Sequence, residues 1–415
     1  MQIFMLVKEF IADIKKQKLR AFLTTVAITW GTLAIILLMA FGTGLGFRMR
    51  ESFLNAGDKV IRLYSGQTSK EFNGLPTGRR IRLQEEDAWL LKQSIPDIDI
   101  VHPGFGRGVH LRNGENAAWT HMEGVFPQFE TLRRTPPAPG GRFINDIDLR
   151  ERRRVVFLGG EIAQEMFGNP NPVGEILQLD GIPFTVIGTM PKKLQTSMNN
   201  GPDDRRAIIP FTTFRAIHGY RYVSEILIHL RNPNETESVT KEIRQILGRK
   251  YQFDPGDERA IFIWDMIEAE RISSKIFMGL NIFLGVIGGM TLVIAGIGVA
   301  NIMYVVAKER TREIGIKRAI GAKKRHIISQ FVFESLLIAF IGGGAGLLIS
   351  LGIVKAVWMI PISDDGAMQF LGRPLLSTAV IVTSISILTL IGLLAGLFPA
   401  RKAANVDPVE ALRYE

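Results

Sequence analysis

The stretch FLTTVAITWGTLAIILLMAFGTGLG, residues 22–46, lies in a run without a charged side chain between Arg20 and Arg48. A helix crosses the hydrocarbon core of a bilayer with about 20 mostly apolar residues, and this run is longer than that. Three more such runs follow near the other end, at residues 276–307, 335–354 and 374–400. One early span and three late ones enclose a long polar segment. The fold class expected is an α-helical membrane protein with four transmembrane helices, ordered one plus three. A large α+β domain is inserted between helices 1 and 2. The mean hydropathy of +0.16 averages these two unlike parts.

The flanking charges indicate topology. Lys8, Lys15, Lys16, Lys18 and Arg20 precede the first span, and eight Lys or Arg fall within residues 308–326. Between the third and fourth spans only Lys355 and Arg373 are basic. Cytoplasmic loops are the ones enriched in Lys and Arg. The N-terminus, the 308–326 loop and the C-terminus with Arg401 and Lys402 are therefore expected in the cytoplasm, and the polar middle outside it. The formal charge of +10 is thus topological. Residues 48–275 hold 32 Lys plus Arg against 30 Asp plus Glu, which argues against a nucleic-acid partner. A cleaved leader would have an apolar core of about 7–15 residues and a small-x-small site. The longer core here, followed by Phe47, Arg48, Met49 and Arg50, reads as an uncleaved anchor.

In order, the segments are a basic amphipathic stretch (1–20), the first span (21–47), the extracytoplasmic α+β domain (48–270) and the second span (276–307). A cytoplasmic loop (308–326), the third span (327–354), a short outer loop (355–373), the fourth span (374–400) and a cytoplasmic tail (401–415) complete the chain. Val7, Phe10, Ile11 and Ile14 at helical spacing suit either a helix lying among headgroups or a plain extension of the first span.

Within the middle domain, Asn113-Gly114 and Asp180-Gly181 stand between alternating apolar runs, as hairpin turns of type I′ do. Strand-then-helix units are expected at 155–158 with 161–167 and at 207–209 with 211–217. A strand follows at 225–230 and a helix at 235–247. Such short alternating elements suit small α+β modules, two subdomains in all. The boundary is expected near one of the polar loops at 131–141 and 191–206. Residues 265–275 are charged but helix-compatible, so the second span can extend into this domain without a break.

Recognisable catalytic chemistry is missing from the sequence. With no cysteine there is neither a disulfide nor a thiolate site, and the six histidines form no metal-binding spacing. A phosphate-cradling GxxxxGK[ST] loop needs a Gly-Lys pair, and none occurs. No catalytic, cofactor or metal residues are expected.

The 308–326 loop is the most informative polar segment. Glu309, Arg310, Arg312, Glu313, Lys317 and Arg318 mix both signs at helical spacing, Ile314, Ile316 and Ile320 add an apolar side, and Gly321 permits a turn. A topology-setting loop needs only scattered basic residues; these features suit a short helix that docks on another protein. In the spans, Gly285 with Gly289, Gly342 with Gly346, and Gly392 with Gly396 each make the GxxxG spacing that lets helices approach closely, and two such chains could pack this way into a dimer. Glu334, at the start of the third span, is expected to snorkel to the cytoplasmic side. Arg152, Arg153 and Arg154 read as a solvated face.

ERTREIGIKRAIGAKKRHI (residues 309–327) and FPARKAANVDPVEALRYE (398–415), with the one-plus-three layout, resemble the MacB-type (FtsX-like) permease subunits of ABC transporters. RERRRVVFLGGEIAQEMFG, NPVGEILQLDGIPFTVIGTM and RRAIIPFTTF look like that family's extracytoplasmic domain. The resemblance implies that Glu309, Arg310, Arg312, Glu313, Gly315, Lys317, Arg318 and Gly321 lie at or near the contact with a cytoplasmic ABC ATPase. That partner, a separate subunit since MacB's own ATPase precedes its first span, would bind ATP and Mg. It further implies a dimer with a second permease copy or paralogue in a bacterial inner membrane. The work expected is mechanotransmission for export of a drug, peptide or lipid-linked substrate, with a periplasmic adaptor and outer-membrane channel as further partners. The alternative is an FtsX-like signalling protein that regulates a cell-wall hydrolase or a sensor kinase. A membrane-anchored enzyme finds no support in any residue constellation.

Overall fold

A computed structural model describes residues 18–55, 57, 59–168, 171–191, 193, 201–360 and 372–405. The amphipathic stretch before residue 18, most of the outer loop 355–373, the tail beyond residue 405 and much of the 191–206 loop fall outside them. Among the described residues the chain forms two compact units. One is residues 49–274, and the other joins the N-terminal part to residues 275–415.

The first helix, α1 (Lys18–Asn55), leads into the α+β unit. There the order is β1 (Val60–Ser65), α2 (Glu85–Ser94), β2 (Ile98–Asn113), β3 (Asn116–Val125), α3 (Phe129–Leu132), α4 (Asp146–Arg150), β4 (Val155–Leu158) and α5 (Gly160–Phe167). Then come β5 (Ile176–Leu179), β6 (Ile182–Thr189), β7 (Arg206–Pro210), α6 (Phe211–His218), β8 (Glu225–Leu230), α7 (Thr236–Tyr251) and β9 (Ile261–Asp265). The strand-then-helix units are where the alternation places them, and α7 runs one turn further.

The strands pair in the order β3-β7-β4-β6-β5-β2-β8-β1-β9, and β3 also pairs with β2. Six strands therefore close into a ring, and β8, β1 and β9 extend from it as an open sheet. Strand β2 serves both parts. Its first half faces β8 (Val101↔Ile228), and its second faces β3 (Val109↔Thr120). Asp180 and Gly181 both take positive φ, 51° and 82°, as a type I′ hairpin demands. The other hairpin is shifted by one residue: Asn113 pairs with Asn116, so Gly114 and Glu115 form the turn and Gly114 alone has positive φ.

The ring and the open sheet share an apolar core including Ile61, Leu63, Phe105, Ile209, Phe211 and Ile228. Among the described residues three arginines are nonetheless fully buried, Arg62, Arg133 and Arg206, and each is matched by a carboxylate. Arg62 lies 3.5 Å from Glu225, Arg206 pairs with Glu123 and Asp203, and Arg133 pairs with Asp203. Unpaired buried charge costs several kcal/mol, so each arginine is held to the segment that carries its carboxylate, β1 to β8 through Arg62 and β7 to β3 through Arg206. His102 is equally buried but lies edge-on to Phe126 and Phe129, with ring centroids 6.0 and 5.2 Å away. Neither of its ring nitrogens has a hydrogen-bond partner.

The second unit contains α8 (Met266–Glu309), α9 (Thr311–Ala319), α10 (Lys324–Met359) and α11 (Thr378–Ala404), with α1 and α8 continuing into it from the α+β unit. Asp265 caps α8, its carboxylate accepting from Ile267 N at 2.9 Å and Glu268 N at 3.0 Å. Four helices among the described residues, α1, α8, α10 and α11, are long and apolar enough to cross a membrane. Large apolar side chains such as Ile294 and Leu348 remain 70% exposed. In water that surface would be a liability; in a bilayer it is the lipid-facing side.

Burial holds the His102 imidazole down to about 4, although Glu225 pulls the other way. As pH falls through 6.5 the unfolded chain takes up this proton and the folded one does not, so stability drops until about pH 4. His102→Phe is expected to remove roughly 3 kcal/mol of that acid-side loss. Melting wild type and variant side by side at pH 7, 5.5 and 4 checks this; parallel curves would refute it.

Candidate functional site

Helix α9 is short, yet it is fastened at both ends. Arg310, the residue between α8 and α9, donates to Glu334 of α10 at 3.0 and 3.3 Å. Gln330 donates to the same carboxylate at 3.3 Å. Glu334 is only 4% exposed. It does not snorkel outward as expected for a lone carboxylate; an arginine comes to it instead, from 24 residues upstream. At the other end, Arg318 donates to the Ala404 carbonyl of α11 at 3.0 Å, and Lys324 to Asn405 at 2.7 Å. Ile314 and Gly315 turn inward and are buried. The short helix thus joins the ends of three spans.

Its other face is open. Glu309, Arg312, Glu313, Ile316, Ile320 and Gly321 are exposed, Ile320 at 82% and Ile316 at 47%. Lys317 is half-buried and reaches Glu313 at 2.7 Å. At this exposure that pair adds little to stability and serves to present charge. Gly321 ends the segment with φ of 100°, a conformation in which a side chain is strained. The eight residues singled out in the sequence therefore divide. Arg310, Arg318 and Gly315 hold the helix in place, while Glu309, Arg312, Glu313, Lys317 and Gly321 belong to its outer side. The isoleucines divide as well, Ile314 inward and Ile316 with Ile320 outward. Beside the helix lies a groove of about 920 Å³ lined by Tyr304, Lys308, Glu309, Thr311, Pro399 and Lys402 among others.

The six span glycines divide in a similar way. A Cβ on Gly342 would fall 2.9 Å from Ile28, and one on Gly346 2.7 Å from the Thr29 carbonyl, so this pair seats α10 on α1. Thr29 also donates to the Gly342 carbonyl at 3.0 Å. Gly392 and Gly396 seat α11 on α10, where a Cβ would meet Ala339 at 2.9 Å and Ser335 Oγ at 2.0 Å. Ser335 donates to the Gly392 carbonyl at 3.0 Å. Gly285 and Gly289 of α8 have nothing within 4 Å of that position. Two pairs pack helices inside the chain, and the third is uncovered.

Overpacking of this kind costs about 1–3 kcal/mol. Gly396→Val is expected to lower the melting temperature of the detergent-purified chain by several degrees. Gly285→Val should leave the melt unchanged and alter only self-association, read by light scattering. Equal destabilisation by both would contradict this division.

The family model of the MacB-like periplasmic core domain matches residues 21–246, and that of the FtsX-like permease C-terminal domain matches residues 285–408. The macrolide export ATP-binding/permease protein MacB of Bdellovibrio bacteriovorus is 29% identical over 96% of this chain. The chain spans about 60% of the length of the MacB relatives it matches. The uncharacterized ABC transporter permease YknZ of Bacillus subtilis is 28% identical, with 98% of each chain covered. Among solved structures, the periplasmic region of MacB from Actinobacillus actinomycetemcomitans overlaps at a TM-score of 0.42 and 17% identity, covering 54% of this chain and 95% of that one. With a matched core domain spanning more than half of its residues, the chain belongs to the family of permeases that join a MacB-like periplasmic core domain to an FtsX-like C-terminal domain.

Proposed function

We propose that this chain is the membrane subunit of an ABC-type transporter. It passes the motion of an ATP-hydrolysing partner to its α+β domain outside the cytoplasm. The observation that carries this reading is α9. A helix tied by Arg310 and Arg318 to two different spans cannot be displaced without moving them, while Arg312, Glu313, Ile316 and Ile320 are exposed on its outer side, where a partner would meet them. The ATP and Mg belong to that partner. The uncovered Gly285–Gly289 face of α8 is where a second copy would pack.

The work proposed is mechanical rather than a conduit through the bilayer. Glu334, buried at the start of the third span, is engaged by Arg310 and Gln330, which leaves it committed to holding α9 rather than to a polar path across the membrane. The substrate, a drug, a peptide or a lipid-linked molecule, would then be handled outside and passed to an adaptor and outer-membrane channel. A multi-pass protein of the bacterial inner membrane, with both termini cytoplasmic, is the matching location, and the basic residues of the 308–326 segment support that orientation.

Ile320→Asp and Glu313→Lys are expected to leave insertion and melting intact but cut stimulation of the partner ATPase in proteoliposomes at least tenfold. Turnover matching wild type in both variants would remove α9 as the docking element.

A further inference from the structure

Where the ring joins the open sheet, the α+β unit contains a second site whose chemistry the transport reading does not use. It is a cavity of about 200 Å³ bounded by Tyr64 of β1, Gly106 of β2, His121 and Glu123 of β3, and Ser224 and Glu225 at the start of β8. Its origin is visible in the sequence. GFGRG, residues 104–108, puts glycine at every second position of β2, so one face of the strand has no side chains there. Glu225 pairs across from Gly104 and Glu123 across from Gly106. A Cβ on Gly106 would lie 2.6 Å from His121 Nε2. The missing side chains make the room, and two carboxylates face it.

The polar groups around it are unevenly satisfied. The Ser224 hydroxyl accepts from Gly106 N at 2.9 Å and donates to Gly106 O at 3.3 Å. Glu225 is held by Arg62, which also reaches the Tyr64 hydroxyl. Glu123, only 5% exposed, gives one carboxylate oxygen to Arg206. Its other oxygen, Oε2, is buried and has no hydrogen-bond partner. A buried acceptor left unmade costs about 1–3 kcal/mol, and Glu123 is one of the residues that line the cavity.

We propose that this cavity binds a small organic ammonium ion, received by the Glu123 carboxylate and flanked by Tyr64, His121 and Ser224. A volume of about 150 Å³ holds a benzene-sized molecule, so about 200 Å³ suits a ligand of several heavy atoms rather than a bare ion. Among the described residues, no group of three or more His, Asp or Glu is arranged to hold a metal. The electrostatics also favour a cation. Burial lifts the Glu123 carboxyl to about 7; Arg206 and Arg62 pull it down, and Glu225 and Asp203 push it up. His121 supplies no positive charge, since burial and Arg206 hold that imidazole down to about 4 against the pull of Glu225. A ligand ammonium would, and on binding it would displace the proton that Glu123 partly carries at neutral pH. This inference stands apart from the transport reading, since it uses only residues of the α+β unit.

Titration calorimetry on the full chain in nanodiscs at pH 7 tests it, with ethanolammonium, its neutral analogue ethylene glycol, and glycolate as the anion. Saturable binding of ethanolammonium alone is expected, accompanied by proton release when two buffers of different ionisation heat are compared. Glu123→Gln should weaken binding at least tenfold, whereas Glu237→Gln on the exposed side of α7 should leave it unchanged. The wild-type series decides the matter even if Glu123→Gln fails to fold. No saturable heat with ethanolammonium, equal binding of ethylene glycol, or binding without proton release would each overturn the proposal.

Discussion

The ion pair between Arg310 and Glu334 is the contact on which the functional reading depends. A carboxylate one turn or two inside an apolar helix is costly unless matched, and breaking such a pair by removing one partner costs about 3–5 kcal/mol because the other charge stays buried. Here the match comes from the residue at the joint between α8 and α9, so the penalty for a bare Glu334 becomes a restraint on where α9 sits. The Arg318 bond to the end of α11 fixes the opposite end. With both ends held, α9 has little freedom of its own. Any force on its exposed isoleucines must be taken up by the spans.

The packing of those spans follows from a second constraint. Lipid tails are as apolar as leucine, so helices in a bilayer associate through close contact and hydrogen bonds rather than by escaping water. Gly342 and Gly346 against α1, and Gly392 and Gly396 against Ser335 and Ala339, provide both. Each hydroxyl that crosses between helices, Thr29 or Ser335, reaches a glycine carbonyl that no side chain shields. The same residue type thus supplies the approach and the acceptor.

Local features were legible in the sequence. Uncharged runs located the four long helices, Asp180-Gly181 marked a hairpin turn, and strand-helix alternation located β4 with α5 and β7 with α6. What stayed hidden was long-range. That Glu334 meets Arg310, or that Arg206 meets Glu123 83 residues away, depends on helix rotation and strand order, which no local period encodes. GxxxG spacing named six glycines with equal weight; only the structure separates four that pack inside the chain from two that do not. The ring was unreadable for the same reason, because its closure rests on β3 pairing with β7 and β2 with β5. The cavity beside Glu123 had a sequence trace in GFGRG, but its meaning needed the facing strand.

Strand β1 follows α1 and strand β9 precedes α8, and the two lie side by side in antiparallel register from Ile61↔Asp265 to Ser65↔Ile261. Slip of either strand past the other by a single residue would turn every side chain to the wrong face and strip the whole ladder at once. The roots of the two long helices are therefore clamped at one register. Within the sheet, neither strand end can glide past the other.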